Sequence, residues 1–406
     1  MNLLFDKLGK LKIIYVSCLV SEERFAKLYS SSLVVPGQQV QKYHRLLAEG
    51  LSRICDVETI SAIPMSRKID KRILIVEKGE MAEKIKYNYL VTLNVPIIKN
   101  IYTMISSFYT TLKKLITDRS ACIVVDVLNS SVSLGAILAC KALNRISVGI
   151  VTDVPDYLDD GSNRLSSRLS NVIIRNCKAY IFLTQQMNSL LNEKHLPYIV
   201  IEGMVDIKMT KKLKNADANG SKKICLYTGG IYKKYGIDQL VKGFIKADVA
   251  NCELHIFGDG DFKSELEIYC TKYQNIKFLG VKPNEDIIKA QLKASLLVNP
   301  RPTNGEYVKY SFPSKNMEYM ASGTPVLTTF LPGIPVEYFK FCYIIEEETQ
   351  DGICNALINT LAQSNIELFQ KGMSAREFVL TNKNNLVQSQ RVVEFINEIT
   401  ANRKKH

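Results

Sequence analysis

The 406-residue chain has no tryptophan, only 4 histidines and no pair of cysteines at CxxC spacing. The missing CxxC removes zinc-ribbon and thioredoxin-type readings, and the ten cysteines, scattered singly and often inside apolar runs, read as reduced core residues. Without tryptophan, and without a Lys/Arg run interleaved with stacking aromatics, there is no nucleic-acid platform. No apolar stretch reaches the ~18–20 residues that span a bilayer, and residues 1–7 are too short and too charged for a signal peptide. A cytoplasmic location is expected, at most peripheral on the inner face of the cell membrane. With only 12 prolines and 21 glycines, no low-complexity tract is expected either.

What is present is 46% hydrophobic residues, enough at this length for two ordinary α/β domains. The formal charge is +13, and about +8 of it falls on residues 1–205. That half is expected to meet something anionic, a membrane surface or a phosphorylated acceptor; the plain alternative is a solvated basic face. The segment Arg67-Lys68-Ile69-Asp70-Lys71-Arg72 fits a membrane-facing acceptor surface. So does the stretch 97–116, where Lys113 and Lys114 stand beside Ile101, Tyr102, Ile105, Phe108 and Tyr109. An amphipathic helix laying its apolar residues on its own sheet explains that stretch at least as well.

Short β-rich runs alternate with helix-length segments. Strands are predicted at 12–16, 88–92, 121–127, 147–151, 179–183 and 198–201, with a helix over 41–54. Turn formers and the loss of apolar periodicity mark a boundary at 208–222. Alternation then restarts, with strands at 223–227, 253–257, 276–279 and 295–299 and helices over 236–247, 262–273 and 284–293. Leu386, Val392, Val393, Ile396 and Ile399 are spaced for an amphipathic C-terminal helix. The pattern predicts two doubly wound parallel-sheet domains, 1–207 and 223–381, a linker at 208–222 and a final helix within 382–406. Ligands of such folds sit at the carboxyl ends of the strands, so the expected site is a cleft between the domains.

Two glycine turns follow strands. Tyr227-Thr228-Gly229-Gly230 either brings backbone N–H groups to an anion or simply makes a tight turn. Gly258-Asp259-Gly260 repeats the device without the rest of a dinucleotide fingerprint, which disfavours NAD. Asp259-Gly260-Asp261 spells DxD, read here as turn and helix-cap chemistry rather than a metal site. No metal or other cofactor is expected, because Lys, Arg and helix termini can meet a diphosphate's charge.

Residues 299–327 are more specific. Pro313 suits the first turn of a helix that carries Ser314 and Lys315 at its N-terminal end, where orphan N–H groups attract phosphate oxygens. Glu318 falls one turn later on the same face, and its carboxylate can accept two hydrogen bonds from a vicinal diol such as a ribose. Gly323 ends the helix and Pro325 opens the next strand. The plain alternative is an ordinary helix with a surface Lys–Glu pair. In the first half, Asp153 after the strand at 147–151 either orients a hydroxyl or caps the next segment. Gly37, in the loop after the first strand, and His44, on the next helix, are the candidate acceptor contacts, although a lone histidine serves as often in a core or on a surface.

The run from Pro313-Ser314-Lys315 through Glu318-Tyr319-Met320-Ala321-Ser322-Gly323 to Pro325-Val326 resembles the donor-binding signature of the group 1 glycosyltransferases, retaining enzymes of the GT-B fold. With the two glycine turns and Phe278-Leu279-Gly280, the likeness covers most of the second domain. The first domain resembles the family in organisation only. The resemblance implies two Rossmann-like domains facing across a cleft, with the C-terminal helix returning to the first. It implies transfer of a sugar from a nucleotide diphosphate donor to a saccharide acceptor, lipid-linked through a diphosphate, in surface polysaccharide synthesis such as capsule or O-antigen. Glu318 would hold the ribose, Lys315 and Arg301 would neutralise the diphosphate, and Gly229 and Gly230 would offer N–H groups to it. Gly258, Ser314 and Tyr310 complete the implied donor set, and Asp153 is the candidate catalytic residue. With no protein nucleophile in view, positioning and electrostatics must carry the transfer.

Two departures stand out. Tyr310 occupies the position, eight before the ribose-binding glutamate, where many relatives have an acidic residue, and Glu306 is displaced by four. Gly230 and Tyr235 replace the usual Arg and Lys of the glycine loop. Two other readings share the architecture: a nucleotide-sugar epimerase, which needs an acid–base pair not recognisable here, and a non-catalytic nucleotide-sugar-binding subunit serving a partner enzyme.

Overall fold

A computed structural model describes residues 11–29, 38–157, 164–211 and 222–403. They form two compact units, the first of Met1–Met204 with Asn385–His406 and the second of Val205–Asn384.

In the first unit the chain runs through β1 (Lys12–Ser17), α1 (Glu22–Tyr29), α2 (Gln38–Ser52) and β2 (Asp56–Ala62). Five short strands follow: β3 (Leu74–Ile75), β4 (Glu80–Ala82), β5 (Ile85–Tyr87), β6 (Tyr89–Leu90) and β7 (Thr92–Leu93). Alternation resumes with α3 (Ile98–Thr117), β8 (Cys122–Asp126), α4 (Ser130–Ala142), β9 (Ser147–Val151), α5 (Arg164–Asn176), β10 (Ala179–Phe182), α6 (Gln185–Leu191) and β11 (Tyr198–Val200). The sheet order is β11-β10-β9-β8-β1-β2-β5-β4, with β6 also on β2. Only β4–β5 is antiparallel within it. Every residue of β8 and β9 is buried, as strands covered on both faces require.

β2 escaped the sequence reading because Asp-Val-Glu-Thr-Ile-Ser-Ala carries few apolar residues. It lies inside the sheet because its polar side chains are paired there. Glu58 meets Lys12 at 3.1 Å and Lys114 at 2.6 Å, and Ser61 Oγ donates to Thr59 Oγ1 at 2.9 Å. The single strand expected at 88–92 is instead β6 and β7, which belong to different sheets.

The C-terminal helix packs in this first unit. In α13 (Asn385–Arg403), Asn385 Nδ2 donates to Leu46 O at 3.2 Å and Ser389 Oγ to Leu47 O at 3.1 Å, both on α2. A Cβ on Gly50 would lie 2.3 Å from Asn385 O, so α2 needs glycine where the helices cross. Val392, Val393, Phe395 and Ile396 join one core with Leu46, Leu47 and Leu51.

The second unit alternates as far as β16: β12 (Lys223–Thr228), α7 (Ile237–Ala247), β13 (Cys252–Phe257), α8 (Lys263–Lys272), β14 (Ile276–Gly280), α9 (Asn284–Lys293), β15 (Leu296–Asn299), α10 (Ser314–Ser322) and β16 (Val326–Thr329); a 3-10 turn leads to β17 (Tyr343–Ile345), then α11 (Gln350–Leu361) and α12 (Asn365–Asn382). Its six strands are ordered β14-β13-β12-β15-β16-β17. The chain builds outward from β12 to β14, then crosses to β15 and builds the other way. The topological switch point therefore lies between the carboxyl ends of β12 and β15, where open α/β sheets leave a crevice for ligands. All ten cysteines are free thiols. Among the described residues, no helix is long and apolar enough to cross a membrane.

Candidate functional site

The switch point of the second unit gathers both glycine turns, the loop after β15 and the N-terminus of α10. Gly229 follows β12 with φ 135° and Gly258 follows β13 with φ 143°, both in the region that favours glycine. Gly229 N–H donates to Phe257 O at 2.9 Å, and Gly258 N–H donates to Gly280 O at 3.0 Å. A Cβ on Gly258 would lie 1.8 Å from Gly229 O, so the turns interlock backbone against backbone. In the DxD, the Asp261 carboxylate accepts the Lys233 N–H at 3.2 Å, a tie to the loop after β12 rather than a cap of α8, whose N-cap Phe262 makes no side-chain capping bond.

Gly229 has a second reason to lack a side chain: its Cβ would sit 2.5 Å from Lys315 Nζ. Lys315, in the first turn of α10, reaches back to β12, donates to Tyr227 Oη at 2.9 Å and lies 4.0 Å from that ring's centroid. Tyr227 Oη in turn donates to Gly230 O at 2.7 Å, which aims its lone pairs at the ammonium. Burial pushes the Lys315 pKa down to about 7; the nearby Arg301 charge adds to the shift and Glu318 opposes it. An anion arriving here would reverse that shift.

Arg301 follows β15, its guanidinium held between the rings of Tyr235, 5.5 Å away, and Tyr307, 5.4 Å away. Its Nε is buried with no hydrogen-bond partner among the described residues. Tyr235, the residue that replaces the usual lysine of the glycine loop, therefore has an assigned contact: it orients the arginine.

Ser314 opens α10 exposed, and Pro313 at the N-cap makes no side-chain capping bond. Glu318 is half-buried one turn on. Tyr310 ends a 3-10 turn over Glu306–Tyr310, its ring 5.2 Å from Lys309 Nζ. Glu306 is exposed and paired with Lys309 at 2.7 Å.

What holds α10 in place was less visible in the sequence. Tyr319 Oη accepts the Thr228 N–H at 2.8 Å, bonding the helix to the end of β12. Asn299 Nδ2 donates to Asn316 Oδ1 at 2.7 Å and Asn316 Nδ2 to Thr328 Oγ1 at 3.1 Å, joining β15, α10 and β16. At the other end Gly323 takes φ 79°, and the buried Arg376 of α12 donates to Ala321 O and, at 2.8 Å, to Met209 O. Tyr319 and Asn316 lie inside the recognised motif and read as helix core; nothing in the sequence pointed to Arg376.

The remaining candidates belong to the first unit. Asp153 stands in the turn directly after β9, half-buried, beside a buried Thr152 whose hydroxyl has no partner among the described residues. The 3-10 turn that follows, Pro155–Tyr157, is bonded to α5 through Ser167 and Asn171. His44 is only 2% exposed: Tyr15 Oη lies 2.6 Å from its Nδ1, and its Nε2 is 3.0 Å from Asp126 Oδ2 without hydrogen-bond alignment. Its ring is thus engaged at the interior junction of β1 and β8 rather than offered to an acceptor. Gly37 lies outside the described residues.

Residues 208–367 match the family described as Glycosyl transferases group 1. Among solved structures, a sucrose-phosphate synthase from Thermosynechococcus elongatus superposes with a TM-score of 0.67 at 16% identity, covering 96% of this chain and 99% of that one. HepE of Anabaena, in complex with UDP, does so with a TM-score of 0.66 at 13% identity, over 95% of this chain and 100% of that one. A glycosyltransferase from Rickettsia africae reaches 0.66 at 15% identity, over 97% and 99%. At these identities the likeness is one of fold. By sequence, no curated protein matches the chain.

Proposed function

We propose, from the match of residues 208–367 to the group 1 glycosyltransferases, that this chain moves a sugar, with retention, from a nucleotide diphosphate donor to a saccharide acceptor. The observation that carries the proposal is the cation pair at the switch point: Lys315 pressed against Gly229 and Arg301 clamped by two tyrosines, beside the N-terminus of α10. The leaving diphosphate gains charge in the transition state, and fixed cations and N–H groups stabilise that charge at no cost in reorganisation. In this reading the N–H of Gly230, Ser314 at the start of α10 and the turn at Gly258 complete the phosphate cradle, whereas Gly229, whose own N–H is bonded to Phe257 O, serves by leaving room for Lys315. Glu318 accepts the ribose hydroxyls, and Tyr310 faces the sugar in place of the usual acid. Within the first unit, Asp153 orients a bound hydroxyl. The diphosphate's charge is met by Lys315 and Arg301, so no metal is required and a chelator leaves turnover unchanged.

The Anabaena HepE structures hold UDP, UDP with glucose, and UDP-glucose, which makes a uridine diphosphate sugar the first donor to try. The excess positive charge supports an acceptor carried on a lipid diphosphate, as surface polysaccharide assembly supplies. The test incubates the protein with UDP-, GDP- and dTDP-sugars and a membrane lipid extract, following nucleotide release and lipid glycosylation. Release with lipid labelling is expected. Interconversion of UDP-sugars would assign an epimerase, and saturable binding without turnover a binding subunit. Glu318→Ala is expected to weaken donor affinity by about tenfold or more, the worth of hydrogen bonds to a charged group; unchanged affinity would remove that residue from the ribose.

A further inference from the structure

Helix α3 has its polarity reversed. The residues it buries are Thr103, Ser107, Thr111 and Leu115. Ile98, Ile101, Ile105, Tyr109 and Ile116 are each between 46% and 64% exposed. At 100° per residue these five and the exposed Lys113 fall in one stripe about 120° wide, opposite the threonines and serine. The arrangement has a packing cause. Ser107 Oγ donates to Val132 O of α4 at 2.6 Å, and a Cβ on Gly135 of α4 would lie 2.2 Å from Met104 O, so small side chains bring the two helices together. The alternative expected from the sequence, apolar residues laid on the sheet, is overturned: the isoleucines face away.

The stripe is continuous with a second exposed apolar edge and with cations. Asn94, three residues before the exposed Ile97, donates its N–H to Ile73 O at 2.7 Å and its Nδ2 to Asp70 O at 2.7 Å. Those bonds tie the start of α3 to the exposed Ile73, Leu74 and Val76, and to the loop that exposes Arg67, Lys68, Lys71 and Arg72 against the single Asp70. Contiguous exposed apolar residues with a polar rim mark interaction surfaces, and the rim here is cationic.

We propose that this face docks on a lipid bilayer carrying anionic headgroups. The isoleucines and Tyr109 enter the boundary between headgroups and acyl chains with α3 lying in the plane, while the 67–72 loop and Lys113 meet the surface charge. A second copy of the chain would bring like charges together at the same loop, whereas an anionic bilayer satisfies both the apolar stripe and its basic rim. The inference deepens the lipid-linked acceptor reading but rests on residues independent of the donor site.

The experiment is co-sedimentation of the full chain with phosphatidylcholine vesicles, with and without phosphatidylglycerol. Binding to the anionic vesicles is expected, weakened by salt and at least about tenfold weaker without phosphatidylglycerol. The double substitution Ile101→Asp/Ile105→Asp is expected to reduce binding by about tenfold or more, with unchanged thermal unfolding because both side chains are exposed. Lys68→Glu/Lys113→Glu should flatten the preference for anionic lipid. A wild-type chain that stays in solution with anionic vesicles overturns the proposal, as does equal binding by Ile101→Asp/Ile105→Asp. A dimer in sedimentation velocity that these aspartates dissociate also overturns it, assigning the face to a second copy. UDP binding is measured without vesicles, so failure of docking and failure of the donor site are read separately.

Discussion

Lys315 makes the chemistry of the proposed donor site measurable through pH. Alone, its pKa is pushed down to about 7 by burial and by Arg301, so near neutrality about half of the molecules carry the charge. A bound diphosphate favours the ammonium and returns the pKa toward its ordinary value of 10.5. The sign follows from linkage. Below about pH 7 both states hold the proton and affinity is flat; above it, the empty site must take up a proton in order to bind, so affinity falls. If the occupied lysine stays protonated to about pH 10, the protonated fraction of the empty site drops from about one half at pH 7 to about one hundredth at pH 9. The dissociation constant then rises by about 50-fold, or about 2.3 kcal/mol. UDP is the probe, since its terminal phosphate, with a second pKa of about 6, is largely ionised by pH 7 and fully so at pH 8 and above. Calorimetry at about pH 8 in Tris and in HEPES, whose ionisation enthalpies differ, should report uptake of about 0.9 proton per UDP. Lys315→Met should weaken binding at pH 7 and abolish both the slope and the uptake. An affinity that is level from pH 7 to 9, or uptake that survives in Lys315→Met, refutes the assignment. By the same linkage the empty unit should gain stability as pH rises from about 7 toward 10.5, because the unfolded chain then holds a proton the folded one has released.

Two further substitutions probe the frame of each unit. Gly258→Ala places a Cβ 1.8 Å from Gly229 O at φ 143°, and is expected to cost more than about 3 kcal/mol in urea unfolding; a midpoint close to wild type would show that the two turns are not interlocked. His44→Leu removes the partner of the fully buried Tyr15 and Asp126 and should destabilise the chain by about 2–4 kcal/mol while leaving UDP affinity intact; undiminished stability, with loss of transfer alone, would return His44 to acceptor binding.

The elements legible in the sequence were those with a local cause. The strands from 223 to 299 and their helices could be placed because apolar runs and helical spacing alternate there with turn residues between them. β2 was missed because pattern reading takes Glu58, Thr59 and Ser61 as evidence against a buried strand. The partners of Glu58, Lys12 and Lys114, come from other elements on either side of it along the chain, and Ser61 pairs with Thr59. His44 had no sequence signal that separated interior from surface, since that depends on Tyr15 and Asp126 meeting it across two strands.

The proposed donor segment could be read from the sequence alone because its residues are spaced by a single helical turn: Ser314 and Lys315 at an N-terminus, Glu318 three residues on, Gly323 at the stop. Composition likewise determined two cores' worth of apolar residues and the surplus of positive charge. The tertiary structure alone decided that Lys315 rests on Gly229, and that the rings of Tyr235 and Tyr307 hold Arg301. It also decided which way α3 turns. Periodicity defines a helix's two faces, but the neighbour it packs against determines which is buried, and here α4, with Gly135 at the crossing, took the face of Ser107 and left the isoleucines outside.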